Sequence, residues 1–335
     1  MKQGNGGKTW NEISGRAELH LGELERSTLE KLKHPNGGAF TLWVVFHLSV
    51  WGLGVLAVLL LHDTPWVVVC SLVLGNQLHA ITILQHDCGH GSAYRHPAAN
   101  LWVGRLLAWF IFMPFTTFTY LHKRHHAFLG QPDKDPDEWF YAGGVRWLFI
   151  REMLFLPRFV YESLGARLPE RLRQQVRHEL AFNSLSWLVL LSVSIYTDLI
   201  GWFVMAFLLP MVLLACVINP LSRGYEHFPL AEMAGSDASD AGRFDLRTNT
   251  VTITSPVLGF LWANITYHVE HHVYPSVPFY RLPRLHSLMR HKHYYQERYP
   301  LYRLLKTNHR EPDRTASAVP APFALSPQET EDAHR

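Results

Sequence analysis

The chain has 335 residues, of which 48% are hydrophobic and 18% charged, averages that a soluble domain would also show. Its net charge of +3 does not mark a nucleic-acid binder, and no phosphate loop or dinucleotide fingerprint appears. Three cysteines supply no disulfide framework: Cys70 and Cys216 lie inside apolar runs, and Cys88 lies among histidines.

Residues 1–38 are polar and mixed in charge, with Glu18, Glu23, Glu25 and Glu30 among Arg16, Arg26, Lys31 and Lys33. They lack the n-region, h-region and cleavage site of a signal peptide and are expected to form an N-terminal segment of their own. The segment closes on His34-Pro35-Asn36-Gly37-Gly38, a Pro/Gly turn ahead of a membrane helix. The first long apolar run covers residues 39–61. After His62-Asp63-Thr64-Pro65 a second continues from Trp66 to about Leu84. Each is near the ~20 residues that a helix needs to cross ~30 Å of hydrocarbon. Two antiparallel membrane helices are expected, the second delivering His86-Asp87-Cys88-Gly89-His90 just beyond its end.

The next apolar run, Leu101 to Tyr120, is interrupted by Arg105 and by Met113-Pro114. A full crossing there would put neighbouring histidine clusters on opposite sides of the bilayer, so a re-entrant or interfacial segment is expected. His122-Lys123-Arg124-His125-His126 follows, then an acidic run, Asp133 to Glu138, which reads as a solvated loop. From His122 to His178 the chain is polar and rich in arginine. Trp147-Leu148-Phe149-Ile150 and Met153-Leu154-Phe155-Leu156 within it predict an amphipathic helix lying on the membrane. Two more apolar runs, Leu180–Thr197 and Ile200–Pro220, are joined by a connection without Lys or Arg. Lysine and arginine gather instead in the N-terminal segment, in 122–178 and in the C-terminal part. The positive-inside rule then predicts four spans, with both termini and every histidine cluster in the cytoplasm.

His227 follows the fourth span in Arg223-Gly224-Tyr225-Glu226-His227-Phe228. Asn264-Ile265-Thr266-Tyr267-His268-Val269-Glu270-His271-His272 comes next. A basic, helix-like stretch runs from Leu282 to Tyr295 and contains His286, which lies outside the clusters. Residues 39–308 read as one membrane domain. Beyond Asn308 the periodicity is lost, and 309–335 read as a disordered tail.

The spacing of the histidines carries the chemistry. HxxxH occurs once and HxxHH twice, and i, i+3, i+4 stacks side chains on one helix face. With 21 histidines in 335 residues, chance gives roughly 1.3 HxxxH pairs but only about 0.08 HxxHH triplets. Three imidazoles per face are too many to hide unpartnered, and imidazole is the commonest protein metal ligand. A metal centre is the reading; a set of satisfied or surface histidines is the bland alternative. A membrane metal transporter is a further alternative, but it would place ionisable groups near mid-membrane rather than beyond the span ends.

One HxxxH and two HxxHH boxes beside long apolar runs resemble the membrane fatty acid desaturase and hydroxylase superfamily. The wording matches too: HDCGHG at His86 to Gly91, HKRHHA at His122 to Ala127 and YHVEHHVYPSVPFYRLP at Tyr267 to Pro283. The resemblance implies an all-α integral membrane protein with four spans, re-entrant or interfacial helices and a cytoplasmic cap, set in a bacterial inner membrane. It implies two irons with dioxygen as co-substrate, attacking an unactivated C–H bond of a fatty-acyl or other lipid chain held in an apolar tunnel. His86, His90, His122, His125, His126, His268, His271 and His272 would be ligands. His227, in a glutamate-histidine pair resembling that of membrane alkane hydroxylases, would be a ninth. Asp87, Glu226 and Glu270 would hold ligand histidines from behind, and Asn264 would reach the metals directly or through water. In some acyl-CoA desaturases an Asn stands where Arg223 stands here, a departure. Asn36 likewise interrupts a likeness to the HPGG motif of fused cytochrome b-type domains. The electron donor is therefore expected to be a separate ferredoxin, rubredoxin or cytochrome b type protein. Desaturation is the expected outcome, with hydroxylation, terminal-alkene-forming decarboxylation and carotenoid ketolation or hydroxylation as alternatives on the same boxes.

Overall fold

The computed structural model describes residues 23–131, 133–165, 168–228, 230–231, 250–290 and 301–302. The expected tail, most of the 1–38 segment and the end of the 282–295 stretch lie outside them. The described elements are nearly all helices, as apolar runs of this length require where no water can satisfy the backbone. After α1 (Glu23–Lys33), α2 (Gly37–Leu60) is capped by Asn36, whose side chain accepts the Ala39 amide at 3.1 Å. α3 (Trp66–His90) ends on Gly91, whose φ of 75° lies in the left-handed region that glycine enters freely. α3 therefore includes His86 and His90 in its last turns, a correction to the expected break after Leu84.

Among the described residues, four helices are long and apolar enough to cross a membrane: α2, α3, and the later α8 (Glu170–Tyr196) and α9 (Ile200–Glu226). Large apolar side chains on them, among them Leu42, Leu53, Trp66, Leu185 and Val212, are exposed, which suits lipid rather than water. Inward, Val58, Val67, Leu74, Phe203 and Phe207 share an apolar cluster. Ser71 donates to the Met205 carbonyl at 2.7 Å and the Trp202 indole to the Val55 carbonyl at 3.1 Å, tying α9 to α3 and α2. α9 contains two π turns, Val204–Leu208 and Leu214–Ile218. Each ends two residues before a proline, Pro210 and Pro220. A proline ring crowds the carbonyl four residues back and donates no hydrogen bond, and a widened turn relieves both defects.

The 101–120 region is a helix, a corner and a second helix: α4 (Pro97–Trp109) and α5 (Phe115–Phe128). The corner turns at Phe112, whose φ is 53°. Buried Glu179 of α8 holds it, accepting the Thr116 amide at 2.9 Å, the Thr116 hydroxyl at 2.7 Å and the Arg105 guanidinium at 2.7 Å. The ring of Phe115 lies so close over Gly104 that a Cβ there would come within 2.3 Å of it. α5 accordingly returns the second histidine box to the side where α3 ends. α6 (Val145–Glu152) and α7 (Phe155–Leu164) follow, with Trp147, Ile150, Met153 and Leu154 exposed. α8 starts ten residues ahead of its apolar run, its polar first turns carrying a Glu170–Arg173 ion pair at 2.8 Å. Beyond α9 come α10 (Pro256–Leu261), α11 (His268–Val273) and α12 (Leu282–Met289). A parallel pair joins β1 (Thr252–Ile253) to β2 (Leu301–Tyr302).

Candidate metal centre

Four elements bring the histidines together: the end of α3, the last two turns of α5, the residue after α9, and α11. His86, His90, His122, His126 and His271 offer ring nitrogens within 4.8 Å of one another, as do His125, His227 and His272. His268 belongs with the second set, its Nε2 lying 3.1 Å from His227 Nε2 and 3.0 Å from His272 Nε2. The spacing explains the division. In each HxxHH box the i, i+4 pair stays together (His122 with His126, His268 with His272), while the i+3 residue turns toward the other set. His125 therefore leaves its box for the second set, and His271 leaves its own for the first. Each box thus spans both sets, a finer arrangement than three rings on one face.

The nitrogens meet as donors around a shared point. His126 Nε2 is 3.0 Å from both His122 Nε2 and His271 Nε2, and His125 Nε2 is 3.1 Å from His227 Nε2. Imidazole nitrogens about 2.1 Å from one ion and at right angles lie about 3.0 Å apart, so these separations fit a ligand shell. The Nε2 atoms of His86 and His90 are buried without a hydrogen-bond partner, a costly state unless a metal takes their lone pairs. Burial first, and neighbouring imidazoles second, hold His122, His126, His268, His271 and His272 well below the ordinary histidine pKa. These rings are neutral at pH 7, the form that binds a metal. The residues present fit one metal ion per set.

Behind the nitrogens stand carboxylates. Asp87 is 3.3 Å from His86 Nδ1 and accepts the Phe279 amide at 2.7 Å. Asp135 is 2.9 Å from His125 Nδ1 and also accepts the Gly130 and Asp137 amides and the Tyr141 hydroxyl. Burial opposes protonation of His125, but Asp135 and Asp137 outweigh it and raise its pKa. Asp137 in turn receives Arg223 at 3.1 Å, and Arg223 also donates to Glu152 at 3.1 Å. Glu226, expected to hold a ligand histidine from behind, instead lies 3.6 Å from His268 Nε2, the nitrogen that faces the second set.

Two expected residues have other neighbours as well. Glu270 accepts the Thr252 hydroxyl at 2.6 Å and pairs with His286, so His286 is a buried partner rather than a bystander. Asn264 adopts φ 56° in the turn before α11, with its amide donating to the Gly259 carbonyl, a backbone role that Asn tolerates better than most residues. Asp135 and Asp137, read from the sequence as a solvated loop, are buried beside a histidine of the box. The signal that would have found them is the position of that acidic run, directly after HxxHH.

The chain is 26% identical over 259 residues to a delta(12) acyl-lipid conjugase (11E,13E-forming) of Momordica charantia, covering 66% of this chain and 62% of that protein. The chain thus spans just under two thirds of the conjugase's length. It is 23% identical over 264 residues to a human sphingolipid delta(4)-desaturase, covering 74% and 73%. It is 27% identical over 254 residues to a beta-carotene ketolase of a Paracoccus strain, covering 74% and 89%. A family model described as fatty acid desaturase matches residues 63–305, which contain the described parts of three of the four spans and all nine histidines. The chain belongs to the fatty acid desaturase family.

Proposed function

We propose that the chain is an oxygen-dependent membrane oxidoreductase that desaturates a fatty-acyl or other lipid chain. The observation that carries this reading is the division of nine histidines into a set of five and a set of four, cross-linked by both HxxHH boxes. His86, His90, His122, His126 and His271 would hold one iron, and His125, His227, His268 and His272 the other. Bound there, the two irons supply the activation of dioxygen that breaks an unactivated C–H bond. The chain's own residues set up that chemistry. Asp87 and Asp135 keep His86 and His125 in the tautomer that turns Nε2 inward. The apolar residues packed around the boxes, Leu84, Phe118, Val269 and Val273 among them, keep water away. The electrons come from a separate donor protein. The histidine-bearing span ends face the cytoplasm, in keeping with the distribution of lysine and arginine.

A second reading is oxygenation, in which the attacked carbon ends as a hydroxyl or a ketone and no new double bond joins two carbons. The 89% of the Paracoccus ketolase that the chain spans favours keeping it in view. Lipid and carotenoid analysis of a host expressing the chain, with and without dioxygen, separates the two. New double bonds that need dioxygen and vanish in His271→Ala support desaturation. A new oxygenated product with unchanged acyl unsaturation overturns it in favour of the second reading. Elemental analysis should find about two irons per chain, both reduced in His271→Ala. One tightly bound zinc and no iron in active protein would remove the diiron centre.

A further inference from the structure

His34-Pro35-Asn36-Gly37-Gly38 does more than open a membrane helix. It forms one wall of a cleft of about 600 Å³, whose other walls come from residues 94–99 and from Arg281. The cleft lies where α2 begins and just past the end of α3, hence at the membrane border on the metal side. Its lining carries two guanidiniums, Arg95 and Arg281, and two imidazoles, His34 and His96, with no carboxylate. Arg95 is exposed, and its guanidinium has no hydrogen-bond or ion-pair partner among the described residues. Arg281 is held rigidly, donating to the carbonyls of Lys31, Leu32 and His34 at 2.6–2.9 Å. The start of α2 adds the partial positive charge of a helix N-terminus. Gly37 is required by the wall itself, since a Cβ there would stand 2.8 Å from the Tyr94 ring.

A short chain of contacts links the cleft to the metal centre. Tyr94 packs edge-on against Phe40, and Phe40 against Phe279. The Phe279 amide donates to Asp87, which sits beside His86. Arg281 is two residues from Phe279 in the same turn. A group bound to Arg281 would therefore lie next to the machinery that positions a box histidine.

We propose that this cleft binds a phosphate monoester, the charged end of the molecule whose apolar chain is oxidised. Two guanidiniums and two imidazoles around one space suit a doubly charged, many-acceptor anion better than a lone carboxylate. The assignment rests on the oxidoreductase reading for what the phosphate is attached to, but its binding is measured without turnover. Two sources share this chemistry, a lipid that ends in a phosphate monoester and a soluble acyl carrier that bears one.

The test uses the full chain in nanodiscs of phosphatidylcholine, titrated with lysophosphatidic acid in one arm and coenzyme A in the other. Binding is followed by tryptophan fluorescence, and iron content is measured alongside. Saturable binding of either probe is expected, weakened at least tenfold by Arg95→Glu with iron content unchanged. The probe that binds names the source. Arg146→Glu makes the same charge change at an exposed arginine outside the cleft and should leave binding as it was. If neither probe saturates, if Arg95→Glu binds like the wild type, or if Arg146→Glu weakens binding equally, the cleft is not a phosphate site. Binding as expected in a protein that oxidises no lipid would keep the site and remove the oxidoreductase reading instead.

Discussion

Asp135 shows how much of a metal centre lies behind its ligands. Its two oxygens receive three protein donors besides His125, and the two backbone amides among them can only donate. Asp135→Asn would set an NH2 group against either the Gly130 amide or the Asp137 amide and remove the charge that favours His125. We expect the set of His125, His227, His268 and His272 to bind metal about 10–100-fold more weakly. Dialysis against graded chelator followed by elemental analysis should show the second metal leaving first, and retention of both would remove Asp135 from any supporting role. The box histidines were legible because their relation is local: i, i+3 and i+4 are properties of one helix. Asp135 was not, because it reaches His125 only after the chain turns back at Gly130, whose φ is 74°. The same holds for His286, which finds Glu270 across sixteen residues.

At the scale of elements, the corner between α4 and α5 depends on a residue far along the chain. Glu179 holds both sides of it, so Glu179→Ala leaves Arg105 and the Thr116 amide without their partner. Breaking a largely buried ion pair from one side costs about 3 kcal/mol, slightly relieved here because the Arg105 side chain remains 22% exposed. Thr116→Val loses only a neutral donor and should cost about 1 kcal/mol. Thermal unfolding in detergent should rank the two variants in that order. Equal losses would show that the ion pair adds nothing beyond one hydrogen bond. Arg105 and Pro114 announced that the 101–120 run is broken, and it is. The shape of the break was not legible, since its clamp sits 63 residues downstream of Thr116. Helix ends were misjudged for a related reason: α3 and α8 extend into polar sequence, where hydropathy stops but backbone hydrogen bonding does not.

For the whole molecule, four crossings place the start of α2 and the ends of α3 and α9 on one side. Single cysteines at His62 and Asp198 should react with an impermeant maleimide from one face of the membrane. Cysteines at Lys31 and Asp133 should react from the other, in a background lacking Cys70 and Cys216. All four positions are exposed, so accessibility does not confuse the result. Reaction of Lys31 and Asp133 from opposite faces would mean an odd number of crossings between them. The number of spans was legible because length and apolarity suffice for it. The course of α9 was not, because nothing in a hydropathy pattern distinguishes a π turn from an α turn.

That course has a geometric consequence. In a π turn the amide reaches five residues back, as Leu209 does to Val204 and Asn219 to Leu214, so each turn accommodates one residue more than the α-helix would. One residue is about 100° of rotation and 1.5 Å of rise. The phase of everything beyond Ile218 is therefore offset twice from that of an unbroken helix. Arg223, Glu226 and His227 meet Asp137, His268 and His125 only at the present phase. Forcing Leu214–Ile218 into α geometry with all its residues kept would swing His227 about 100° out of the second set, whereas deleting one residue along with the π turn would leave that phase as it is and the span still long enough to cross.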